Sequence, residues 1–99
     1  MNMQAIMKQA QAMQKEIATI KEEIDNTEFV ATSSFVKVKV KGSKELLEVK
    51  IEEAALEIKE DIEILEDLIV VAVNDAHKQI DKLTEEKMGK YSNMMNGMF

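Results

Sequence analysis

The sequence contains no cysteine, no arginine and no proline. Without cysteine there is no disulfide, no thiolate metal site and no cysteine nucleophile, which suits a reducing cytoplasm. His77 is the sole histidine, so no two-histidine metal pair exists, and an ordinary helix-surface role is the expectation for it. The three glycines, 42, 89 and 97, are too scattered to make a phosphate-cradling loop. Ser33, Ser34, Ser43 and Ser92 fall in turns or near the end of the chain, with no elbow motif to present a nucleophile. No apolar run approaches the ~20 residues of a membrane span. Gln4, Lys8, Gln9, Gln11 and Gln14 break up any signal-peptide core. The expectation is a non-enzymatic chain with no cofactor, no metal, no small-molecule substrate and no membrane partner.

Aromatics make up only 4% of the 99 residues, whereas apolar residues reach 45%. A modest core of Ile, Leu, Val, Met and Ala is therefore expected, in one domain spanning 1–99. Net charge is −6, which taken alone argues against nucleic acid. The distribution changes that reading. Residues 45–76 hold eleven acids against Lys50 and Lys59, while residues 1–44 hold seven lysines against five acids. Residues 77–99 hold Lys78, Lys82, Lys87 and Lys90 against three acids. Exposed charges more than ~10 Å apart are largely screened at physiological salt, so a basic arm can work on an acidic protein.

Met3, Ile6, Ala10, Met13, Ile17, Ile20 and Ile24 recur in steps of three and four, which predicts a long amphipathic helix with an a/d seam. Asn2 suits its N-cap, and Asp25–Asn26–Thr27 its exit. The period then changes to two. Val36, Val38 and Val40 alternate with Lys37, Lys39 and Lys41, and Leu47, Val49 and Ile51 with Glu48 and Lys50. Gly42–Ser43–Lys44 supplies the turn. Pairing Lys41 with Leu46 would set Glu48 opposite Lys39. Phe29–Thr32 makes a further strand, joined to the next by Ser33–Ser34. From Asp61 the helical period returns through Ile62, Leu65, Ile69, Val73, Ala76, Ile80 and Leu83, with Gly89 as a stop. The fold class is α+β: a long N-terminal helix, a three-stranded antiparallel sheet and a long C-terminal helix. Residues 91–99 have no period and are expected to be a mobile tail. Helices of this length overhang so small a sheet, and an overhanging arm with an apolar seam calls for a partner.

Four features carry alternative readings. The acids Glu52, Glu53, Glu57, Glu60, Asp61, Glu63, Glu66 and Asp67 read as a solvated face in preference to a cation site. The methionines near the two ends read as helix packing in preference to an adaptable binding groove. The stripe Lys37–Lys39–Lys41 suits phosphate contact and edge-strand protection equally well. The helix lysines, by charge alone, are solubilising.

The run Ile6–Met7–Lys8–Gln9–Ala10–Gln11–Ala12–Met13–Gln14–Lys15 resembles the N-terminal signature of the YbaB/EbfC family. Leu65–Glu66–Asp67–Leu68 with Ala72–Val73–Asn74–Asp75–Ala76 resembles a second signature, and Val36–Lys37–Val38–Lys39–Val40–Lys41–Gly42 a third. Glu86–Lys87–Met88 and Gly97–Met98–Phe99 also match, and the blocks stand in order over nearly the whole chain. The resemblance implies a tweezer-like homodimer that binds duplex DNA with little sequence preference, associates with the nucleoid in the cytoplasm and influences gene expression. On that basis Lys8, Lys15, Lys21, Lys78, Lys82, Lys87 and Lys90 are candidate phosphate contacts. Ile17, Ile20, Ile24, Ile69, Val73 and Ala76 are candidates for the core and dimer body. Among side chains suited to base edges, Gln9, Gln11 and Gln14 could reach a groove. A protein-interaction module with incidental DNA affinity is the alternative. Two departures from the family stand out: Ser33–Ser34–Phe35 replaces a glycine-rich connection, and arginine is absent.

Overall fold

The computed structural model describes residues 2–52 and 62–91. The order is α1 (Met3–Asp25), β1 (Glu28–Ser33), β2 (Val36–Lys41), β3 (Leu46–Ile51), α2 (Ile62–Met88) and a 3-10 turn (Gly89–Tyr91). The strands form one antiparallel sheet in the order β1-β2-β3. Asn2 caps α1, its side-chain oxygen accepting from Gln4 N at 3.0 Å. At the other end Asn26 and Thr27 return hydrogen bonds to the Glu22 and Glu23 carbonyls. Polar side chains thus satisfy backbone groups that the helix leaves open.

One face of the sheet is the core. Val36, Val38 and Val40 are completely buried, together with Ala31 of β1 and Ala72, Ala76 and Ile80 of α2. Alternation along β2 puts all three valines on one face, and the alanines let α2 lie close over them. Each buried valine contributes on the order of 1.5–3 kcal/mol. Of the expected core residues, Ile17, Ile24 and Ala76 are buried, while Ile20, Ile69 and Val73 are half-buried against the same cluster. Gln79 reaches from α2 to the Val30 carbonyl on the outer edge of β1, at 3.1 Å. His77 is half-buried on α2.

The β2–β3 hairpin departs from the expected register. Glu48 lies opposite Lys39, but Leu46 lies opposite Val40 rather than Lys41, and Leu47 is an extra residue in a bulge. The left-handed residue of this turn is Lys44 (φ 76°), not Gly42. Glycine is needed at 42 for another reason: a Cβ there would stand 1.7 Å from the Ile24 carbonyl oxygen at the end of α1. The turn is held in that position by Gly42 N donating to Thr27 O at 2.9 Å. In the β1–β2 connection, where a glycine-rich segment is the family pattern, Ser34 carries a positive φ of 53°. Lys44 pairs with Asp81 at 3.4 Å, tying the hairpin to α2.

The molecule is long, 70 × 19 × 16 Å, with a radius of gyration of 19.2 Å. A compact chain of this size would have about 13 Å. The excess comes from helices of 23 and 27 residues, about 35 and 40 Å long, on strands of six. The helices are joined beyond the sheet. Tyr91 donates its hydroxyl to Glu16 Oε2, and Lys90 Nζ donates to Glu16 Oε1 at 3.2 Å. The sequence pattern puts Tyr91 at the head of a mobile tail, but it is buried in the same cluster as Ile17 and Met88. Its ring fills space against α1 and its hydroxyl finds a carboxylate, which removes the reason for it to be mobile. Residues 92–99 lie outside the described residues. The Tyr91 hydrogen bond first, and then the Lys90 hydrogen bond, hold the Glu16 carboxyl below its ordinary 4.5.

Three outcomes are expected. Gly42→Ala should cost about 3 kcal/mol or more in urea denaturation, because backbone must move to admit the methyl group. Ser34→Gly should raise stability by about 1 kcal/mol, by removing the left-handed strain of an L-residue. The Glu16 clasp follows the sign of a lowered carboxylate. Its contribution is complete above the unfolded value and is lost as pH falls through the lower folded value. Tyr91→Phe should therefore return Glu16 toward its ordinary titration in an NMR pH series, and should speed hydrogen exchange in the first half of α1.

Candidate nucleic-acid interface

Residues 2–12 are exposed throughout, so the first half of α1 projects beyond its packing against α2. Its seam is divided at Met13. Ile17 and Ile24 are buried, Met13 and Ile20 half-buried, but Ile6, Met7 and Ala10 are exposed, and Met3 is 71% exposed. This projecting half also differs in charge. Residues 1–15 carry Lys8 and Lys15 and not one acid. The outer part of the arm therefore carries positive charge only, and its first acid is Glu16, although the whole chain is acidic.

The seven candidate lysines are all exposed. Lys8 and Lys15, seven residues apart, share one face of α1, whereas Lys21 is rotated roughly 120–140° from them. Lys78 and Lys82 stand one turn apart on α2, and Lys87 falls on the other side of that helix, roughly 140–180° away. The Glu16–Tyr91 bond sets Lys15 and Lys90 at the same level of the arm. Lys90 is engaged there, bridged to Glu16 and 5.0 Å from the Tyr91 ring centroid. Lys8, Lys15, Lys78, Lys82 and Lys87 form no salt bridge among the described residues. Lys15 and Lys90 thus stand at one level of the arm and Lys8 about 10 Å further out along it, with Lys78 and Lys82 nearer the sheet.

The lysine stripe of β2 is resolved by the strand order. Because β2 is the central strand, its lysines do not guard an edge. They lie on the sheet face away from α2, opposite the buried valines. Lys39 is neutralised between Glu28 at 4.0 Å and Glu48 at 3.8 Å. Lys37 instead lies between Thr32 and Lys50, so two ammonium groups are set side by side on neighbouring strands. Lys50 is not among the sequence candidates, although the expected Lys41–Leu46 pairing would itself set it opposite Lys37. No group of three His, Asp or Glu residues suited to a metal ion occurs among the described residues. Of the acidic stretch, Glu53, Glu57, Glu60 and Asp61 lie outside the described residues, and Glu52, Glu63, Glu66 and Asp67 are exposed. Among the described residues, no helix is long and apolar enough to cross a membrane.

Comparison with known proteins agrees with this geometry. The family model described as the YbaB/EbfC DNA-binding family matches residues 1–95. A nucleoid-associated protein of Ligilactobacillus salivarius is 41% identical over 100 residues, covering 99% of this chain and 95% of its own. One from Lactococcus lactis subsp. cremoris is 45% identical over 94 residues, covering 93% and 94%. The crystal structure of the uncharacterized protein HP0035 from Helicobacter pylori superposes with a TM-score of 0.69 at 25% identity, covering 96% of this chain and 98% of that one. A helix–sheet–helix chain with an acid-free lysine arm, matched over nearly its full length, belongs to the YbaB/EbfC DNA-binding family.

Proposed function

We propose that the chain acts as a homodimer that grips duplex DNA through phosphate contacts from its helical arms. In this reading it organises the nucleoid and influences gene expression, with no catalytic step. The observation that carries the reading is the projecting half of α1, which bears Lys8 and Lys15 on one face and no acid. Lys78, Lys82 and Lys87 extend the contact along α2, and Lys21 and Lys90 flank it. Lys90 would exchange its Glu16 partner for a phosphate or keep it. The absence of arginine removes the bidentate fork that grips phosphate most firmly. Binding is therefore expected to be weak, near ~10⁻⁴–10⁻⁶ M at physiological salt, and blind to base sequence. The homodimer is supported by apolar surface left uncovered on one copy: Leu46, Leu47, Val49 and Ile51 on β3, with Val70 and Val71 on α2.

The runner-up, a protein-interaction module, draws on the exposed Met3, Ile6 and Met7 of the same arm. Charge separates the two. Fluorescence anisotropy of labelled duplexes of unrelated sequence, titrated at several salt concentrations, should show equal affinities that fall steeply with salt. Lys8→Glu with Lys15→Glu should weaken binding by roughly tenfold or more. It should also flatten the slope of log K on log salt by about one for each phosphate that is no longer neutralised. An unchanged affinity in that double variant, or no binding at low salt, would move the function to protein partners.

A further inference from the structure

The three strands are not treated alike by α2. It covers β1 and β2, while every residue of β3 is exposed, and its apolar side chains are between 39% and 45% accessible. Val49 and Ile51 lie opposite Val38 and Val36, so they continue the row that forms the core. The two edges of the sheet also differ. On β1 the Val30 carbonyl is occupied by Gln79, whereas no side chain among the described residues bonds to the open edge of β3. Glu52 N donates inward to Phe35 O at 2.9 Å. Alternation then turns the backbone groups of Glu48 and Lys50 toward β2, and those of Leu47, Val49 and Ile51 toward the open edge. Beyond the bulge at Leu47, an apolar edge whose donors and acceptors have no partner among the described residues is a template for another strand.

We propose that this edge pairs antiparallel with β3 of a second copy, about a twofold axis at Val49, to give one continuous six-stranded sheet. The inference rests on the homodimer reading above and adds the surface and the register. Three registers keep Leu47, Val49 and Ile51 in hydrogen-bonding positions, with the axis at Glu48, Val49 or Lys50. An axis at Glu48 opposes two carboxylates, and one at Lys50 opposes two ammonium groups. Only the axis at Val49 sets Glu48 against the partner's Lys50, twice by symmetry, at the closely spaced non-hydrogen-bonded positions. It also sets Leu47 against the partner's Ile51 on the core side, so the buried row of β2 extends across the interface. On the opposite face the partner's Glu48 arrives beside Lys50, the residue that crowds Lys37 within one chain. The arrangement thus supplies a counter-charge that Lys37 and Lys50 do not have among the described residues of a single copy.

The test uses the full chain, by sedimentation equilibrium at moderate salt, with the wild type, Glu48→Lys, Lys50→Glu and the double exchange. Each single variant should raise the dimer dissociation constant by about tenfold or more, since it turns two attractive cross-strand pairs into repulsive ones. The double exchange restores opposite charges across the axis and should return to within about threefold of the wild type. Lys50→Glu is the sharper single variant. It relieves Lys37 within the chain, so any weakening of the dimer cannot come from a poorer fold. Because the sequence has no cysteine, Val49→Cys introduces a lone thiol that should oxidise to a disulfide-linked dimer, while Thr32→Cys on β1 should not. A wild-type dimer whose double exchange is not rescued, or which cross-links through Thr32→Cys instead, overturns the β3 register and leaves the homodimer standing. A wild type that sediments as a monomer overturns both.

Discussion

Everything in this protein depends on one row of three valines. Val36, Val38 and Val40 have no solvent exposure, and α2 lies over them with Ala72, Ala76 and Ile80. The burial is possible because β2 is the middle strand, flanked on both sides, and because α2 presents small residues at the closest approach. Placing the helix there leaves β3 beyond its cover. It also turns the alternate side chains of β2, the lysines, to the opposite face. The core, the uncovered strand and the basic face of the sheet are therefore one arrangement seen from three sides.

The arms follow from a mismatch of lengths. A helix of 23 residues and one of 27 cannot both be buried on six-residue strands. Where they leave the sheet they support one another through Ile17, Met88 and Tyr91, with Glu16, Lys90 and Tyr91 joined at the rim. Past that point α1 has no neighbouring element among the described residues, and its composition changes in step. The acids stop and glutamines take their place, with Lys8 and Lys15 on one face. An acidic protein can approach a polyanion in this way because the opposing charge lies elsewhere and is screened over the length of a 70 Å molecule.

The sheet shows how charge and register depend on each other. Lys39 is paired on both sides and contributes little net field, whereas Lys37 is left beside Lys50. The bulge at Leu47 is what brings Glu48 opposite Lys39, because an unbroken register from Leu46 and Val40 would set Leu47 there. It also moves Leu46 one place, to stand opposite Val40 instead of Lys41.

The sequence alone determined the parts of this protein that depend on near neighbours. The steps of three and four from Met3 to Ile24 set α1, and Asn2 set its cap. The alternation of Val and Lys from 36 to 41 set β2 and its two faces, whereas the Glu48–Lys39 opposition, expected from a Lys41–Leu46 pairing, is reached in the structure through the bulge at Leu47. The family blocks placed the chain among DNA-binding relatives. What required the tertiary structure was every contact between residues distant in the chain. Gly42 looks like a turn glycine, yet its necessity comes from the Ile24 carbonyl, eighteen positions away in the chain but in direct contact in space. Tyr91 looks like the start of a tail until Glu16 is beside it. The lysines of β2 look equally like edge guards until the strand order puts them in the centre. Periodicity reports which face of an element is apolar, but not what covers that face. For half of the α1 seam, and for all of β3, the described residues of one copy provide no cover.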